Sequence, residues 1–131
     1  MSFQTILSKR AAAIALLIIL SLTIIFHLLI ITGVLPSTII WGGKLQNASE
    51  MRLAELVSIA INTLFLTIVS IKVRNPDSRL LIVQVVLWIM AGLFLLNTLG
   101  NLFSLNTFER WFFTPLTLLL SVLSLRLALL K

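Results

Sequence analysis

Polar and apolar residues in this chain separate into long blocks rather than alternating faces. Residues 11–35 carry no charge over 25 positions, about 37 Å of helix at 1.5 Å per residue, enough to cross a bilayer with tilt. Further apolar blocks cover about 53–71, 80–103 and 114–130, parted by short polar stretches. The pattern predicts an all-α integral membrane protein: a four-helix transmembrane bundle, with residues 1–131 forming a single domain. Basic residues precede the first block, as in a signal peptide, but the block is too long and lacks a small-x-small site at its end. No internal repeat is evident.

Boundary signals refine the blocks. Pro36 and Ser37 are read as the end of the first span, and Gly42-Gly43 as a second break. Asn47 followed by Glu50 resembles a capping box, so the second helix is expected to start near Ala48, with Glu50, Arg52 and Glu55 at headgroup level. Asn75-Pro76-Asp77 is a turn, and Asp77 or Ser78 is an expected cap for the third helix. Thr114-Pro115 reads as an N-cap and first helical position. The fourth block is short, so residues from the preceding loop are expected to extend it. Trp111-Phe112-Phe113 is interfacial-belt chemistry.

Composition agrees: 60% hydrophobic, 11% charged, mean hydropathy +1.15. A soluble domain of this size cannot hide so much apolar surface. The absence of cysteine removes disulfides, thiolate metal sites and thiol catalysis. The net charge of +6 is explained by placement. Lys9, Arg10, Lys72, Arg74, Arg79, Arg126 and Lys131, seven of the ten basic residues, fall on one side, with Lys44, Arg52 and Arg110 on the other. Three of the four acids, Glu50, Glu55 and Glu109, share that second side. By the positive-inside rule both termini are cytoplasmic, and the charge calls for no nucleic-acid partner. Arg126, close to the cytoplasmic end, is expected to snorkel toward water.

The candidate chemistry collects at one depth. His27 is expected roughly 12 Å below the outer end of the first span, and Asn62 about 10 Å below Glu55 on the second. Glu55, Ser58 and Asn62 follow i, i+3, i+7 spacing, a single helix face. Asn97 lies at similar depth on the third span, with Asn101 one turn above it. Polar groups in lipid face a bundle interior or a wet cavity. The six residues are therefore read as the lining of a pocket for a small molecule, ion or lipid headgroup in the outer half of the bilayer, with Trp41, Lys44, Glu50 and Arg52 at its mouth. Arg52 and Lys44 are placed to pair with Glu50 or Glu55, while His27 and Glu55 are candidates to share a proton.

A plainer reading stands beside this one. Asparagines within spans also serve as packing glue, at around 0.6 kcal/mol each, and His27 can be a satisfied packing residue. It lacks a second histidine or a cysteine with which to bind a metal. Thr114, Thr117, Ser121, Ser124 and Ala128 form a small-residue seam on the fourth span. Packing within the bundle is the favoured use of that seam, and a homodimer through Thr117, Ser121, Ser124 and Ala128 the alternative. An enzyme ranks third, because few acid–base groups exist and no nucleophile stands out. No cofactor is implied.

With Trp41-Gly42-Gly43-Lys44-Leu45, Glu50-Met51, Glu55, Ser58-Ile59, Asn62, Leu96-Asn97-Thr98-x-Gly100-Asn101-Leu102-Phe103 and Phe113-x-Pro115-Leu116-Thr117 laid out, the chain resembles a family of small bacterial four-span inner-membrane proteins. The resemblance covers most of the length. It implies a bacterial inner membrane and a four-helix fold, and carries over no catalytic residue. Small multidrug transporters, a four-span class of similar size, place an essential glutamate inside the first helix, where this chain has none. A reporter fused after Lys131 is expected to read as cytoplasmic in a topology assay; a periplasmic reading overturns the orientation.

Overall fold

The computed structural model describes residues 2–40 and 47–130. These form a short N-terminal turn of helix, α1 (Phe3–Ile6), and four long helices: α2 (Lys9–Ile31), α3 (Ala48–Arg74), α4 (Leu81–Leu102) and α5 (Thr114–Ala128). No strand occurs among the described residues. A π-helical turn over Glu109–Phe113 runs directly into α5, so the fourth span extends over Glu109–Ala128. All four spans are long and apolar enough to cross a bilayer. Their outward faces carry exposed Ile18, Ile25, Leu64, Ile82, Trp88 and Ile89, an apolar surface too continuous for water. These features describe a multi-pass membrane protein.

Each helix end has a local cause. Ser8 caps α2 by accepting the Ala11 N–H at 3.1 Å. The regular helix then stops at Ile31, before the expected Pro36, because Gly33 adopts φ +81° and turns its N–H onto the Ile30 carbonyl. Asn47 caps α3, its side chain accepting from Ser49 N–H at 2.8 Å. Two expected caps are not used. The N-cap position of α4 is Leu80, with no side-chain bond. Ser78 instead is buried, and its carbonyl receives the Lys72 ammonium at 2.5 Å. Thr114 has helical backbone angles and no capping role, since the helix is already running when the chain reaches it.

The spans pack up and down. Helix α2 lies against α3 and α5, α4 against α5, and α3 meets α4 more sparsely. Leu16, Leu20, Phe65, Val69, Leu87, Met90, Leu120 and Leu127 fill the core. The small-residue seam is used inside the chain: Thr117, Ser121, Ser124 and Ala128 are buried, and Ser121 Oγ donates to the Ala91 carbonyl of α4 at 2.7 Å.

The end that holds both termini is tied by cations. Arg126 Nε donates to the Leu7 carbonyl at 2.6 Å, and Lys9 Nζ to the Leu130 carbonyl at 3.2 Å. Gln84 Nε2 donates to the Ala128 carbonyl, an orphan acceptor at the end of α5. Arg126 is 5% exposed. Contrary to expectation it does not snorkel, because the N-terminal segment folds back to offer it an acceptor.

Close approach of α4 and α5 depends on small side chains. Ser121→Leu is expected to cost about 1–3 kcal/mol through overpacking. Leu64→Ala, on an outward face, is expected to change stability by less than about 0.5 kcal/mol. Thermal unfolding of both variants in one detergent checks the contrast.

Candidate functional site

Helices α2 and α3 run antiparallel, bringing His27, one turn from the end of α2, opposite Glu55, two turns into α3. Glu55 is fully buried, and His27 Nδ1 and Glu55 Oε2 stand 2.6 Å apart, a short side-chain hydrogen bond across the two helices. The expectation that His27 and Glu55 lie within proton-sharing reach is met. Glu55 bonds His27, while Arg52 and Glu50 are exposed on the first turns of α3. Trp41 and Lys44 lie outside the described residues.

Beside this pair lies a cavity of about 780 Å³, walled by all four spans. His27, Ser58, Asn62, Asn97 and Asn101 contribute to its lining. Glu55 is not in the described lining; it bonds His27, which is. The apolar part of the wall is aromatic and aliphatic, with Phe26, Phe94, Phe113, Leu116 and Leu120. Phe26 and Phe113 meet edge to face, ring centres 5.3 Å apart, joining α2 to the π turn. Leu22 and Leu96 line the cavity and are also exposed, as are Asn97 and Gly100. The mouth therefore opens sideways, between spans, at mid-helix level.

The polar lining groups divide by how they are partnered. Asn101 Nδ2 donates to Thr117 Oγ1 at 3.3 Å, and Thr98 Oγ1 contacts the same oxygen at 3.0 Å. These bonds hold α4 on α5. Asn62 Nδ2 donates within its own helix, to the Ser58 carbonyl at 2.8 Å. Its Oδ1 has no partner, although the residue is only 8% exposed. A buried carbonyl oxygen without a donor costs about 1–3 kcal/mol, so Asn62 is the one lining residue with an evident unmet demand.

Sequence reasoning left Glu109 and Thr117 out of the pocket. Both line the cavity and both are buried. Ser104 Oγ donates to Glu109 Oε2 at 2.5 Å, while the Glu109 N–H donates to Asn106 Oδ1 at 3.0 Å. Arg110, next in sequence, turns away and donates to the Ser104 carbonyl from Nε and Nη2, at 3.1 and 2.6 Å. The available signal was the spacing of Glu109, Phe113 and Thr117, four residues each, which is one face once the segment is helical. Among the described residues no three potential metal ligands converge.

No family model, curated protein or solved structure matches this chain.

Removing one partner of a buried hydrogen bond leaves the other group unsatisfied and costs more than replacing both by apolar groups. His27→Leu is expected to destabilise the protein by about 1–3 kcal/mol, and His27→Leu with Glu55→Leu by less. A double-mutant cycle read by unfolding in detergent tests this; additive losses would show that the two residues do not act as a pair.

Proposed function

We propose that this protein is a non-enzymatic membrane protein that binds a small molecule, ion or lipid headgroup in the cavity between its four spans, as a transporter subunit or sensor. The observation that carries the reading is Asn62 Oδ1: a buried acceptor without a partner, on the wall of a cavity of about 780 Å³. A bundle in which polar groups served packing alone would satisfy that oxygen or replace the residue with an apolar one. The mix of apolar walls with a few convergent polar groups is also that of ligand sites in general.

The setting we propose is a bacterial inner membrane, in line with the family resemblance, with both termini cytoplasmic and the cavity in the outer half. Support for the orientation comes from the basic residues: Lys9, Lys72 and Arg126 belong to the terminus-bearing end, where seven of the ten positive charges fall. The alternative is an accessory protein that docks a partner, its polar residues serving helix packing. Asn101 favours it, since its amide is spent on Thr117.

Native mass spectrometry of protein extracted in mild detergent, with no ligand added, separates the two. A retained small molecule or single lipid, lost in Asn62→Leu while that variant accumulates and melts normally, is the expected result. A bare protein across several mild detergents would favour the accessory reading.

A further inference from the structure

A second hollow, a groove of about 340 Å³, lies at the end of the bundle away from the termini, where α4 finishes and the fourth span begins. Leu102, Arg110, Trp111, Thr114, Pro115 and Leu118 line it, and it shares no described residue with the cavity. Leu102, Trp111 and Leu118 are exposed, so the groove faces lipid. Sequence spacing accounts for the lining. Arg110, Thr114 and Leu118 recur every four residues, as do Trp111 and Pro115, which gives two adjoining stripes of one helix face. Down that face the chemistry changes from a guanidinium, through a hydroxyl one turn deeper, to a purely apolar wall.

The guanidinium is held in place. Arg110 Nε and Nη2 both donate to the Ser104 carbonyl, at 3.1 and 2.6 Å, which pins its plane at the end of the groove instead of leaving it to snorkel. A guanidinium has five N–H donors in a planar fork that suits phosphate. With two spent on Ser104, three remain among the described residues. Thr114 Oγ1 also lacks a hydrogen-bond partner, whereas Thr23, Thr63 and Thr67 each bond the carbonyl four residues back. Trp111 stands beside the groove, 74% exposed, as aromatic residues do at a membrane interface. The occupant that matches has an anionic, many-oxygened head and an apolar body. Free phosphate lacks the body, and a diacylglycerol lacks the head. We propose that the groove holds a phospholipid of the leaflet opposite the termini, its phosphodiester on the remaining N–H groups of Arg110, its glycerol ester at the Thr114 hydroxyl and one acyl chain along Leu102, Pro115 and Leu118. The site is independent of what fills the cavity.

Three probes test it: dioleoylphosphatidylglycerol, dioleoylglycerol and glycerol phosphate. Each is titrated into the delipidated full chain in mild detergent, and the first adduct is followed by native mass spectrometry. The phospholipid is expected to bind about tenfold more tightly than either other probe, the worth of a hydrogen bond to a charged group. Arg110→Gln is expected to remove its advantage over dioleoylglycerol. Leu118→Trp fills the groove and is expected to weaken both lipids about fivefold. Arg79→Gln, an exposed arginine at the terminus-bearing end, is expected to change nothing and controls for general attraction between an anionic lipid and a basic protein. Melting temperature verifies that each variant folds. Should Arg110→Gln fail to fold, Leu118→Trp carries the test, because it leaves both bonds to Ser104 in place. Equal binding of the two lipids, glycerol phosphate binding as tightly as the phospholipid, phospholipid affinity unchanged in Leu118→Trp, equal losses from Arg110→Gln and Arg79→Gln, or a protein dimer in place of the adduct overturns the site.

Discussion

A polar side chain inside a bilayer has to find its partner within the chain, because hydrocarbon offers none. That constraint sorts the spans of this protein. The hydroxyls of Ser21, Thr23, Thr63, Thr67 and Ser70 bond carbonyls one turn back on their own helices and ask nothing of the fold. Those of Ser121 and Thr98 reach from one helix to another and hold α4 on α5. His27 and Glu55 bond across the two helices and so tie the rotation of α2 to that of α3. Once Glu55 is turned into the α2–α3 contact, Ser58 and Asn62, following it on the same face, are carried to the cavity wall.

The two ends of the bundle meet this constraint differently. At the terminus-bearing end, Lys9, Lys72, Gln84 and Arg126 each donate to a backbone carbonyl outside their own helical turn. Cations and amides thereby plug the orphan acceptors of helix ends, and the packing closes. At the opposite end two of the three acids are buried instead, and Glu50 is exposed. Glu55 and Glu109 are buried there, one against a histidine, the other against a serine hydroxyl. The closed end ties the helices together, and the cavity lies toward the other half.

Much of this was legible before any coordinates. Hydropathy fixes four spans with little ambiguity, because a bilayer-length apolar run has few other uses. Turn counting also put His27, Asn62 and Asn97 at one depth, and all three line the cavity. Rotation about each helix axis is harder to read from such counting. Glu55 therefore belonged in the expected lining, whereas in the structure it bonds His27 and is not in the described lining. Caps were misread for a local reason: the third span starts two residues beyond Ser78, at a Leu80 cap, and a helix already under way bypassed Thr114.

Glu109 shows how the least legible feature came to matter most at the site. In sequence it belongs to a charged, aromatic stretch that reads as an interfacial loop. The π turn extends the fourth span upward by five residues and widens the helix where it does so. Glu109 and Arg110 then part company, the acid turned to the cavity and the guanidinium held on Ser104. Held in one helical turn, the two side chains leave in different directions, and of the pair only Glu109 lines the cavity. The chemistry of the cavity is set as much by that separation as by the asparagines.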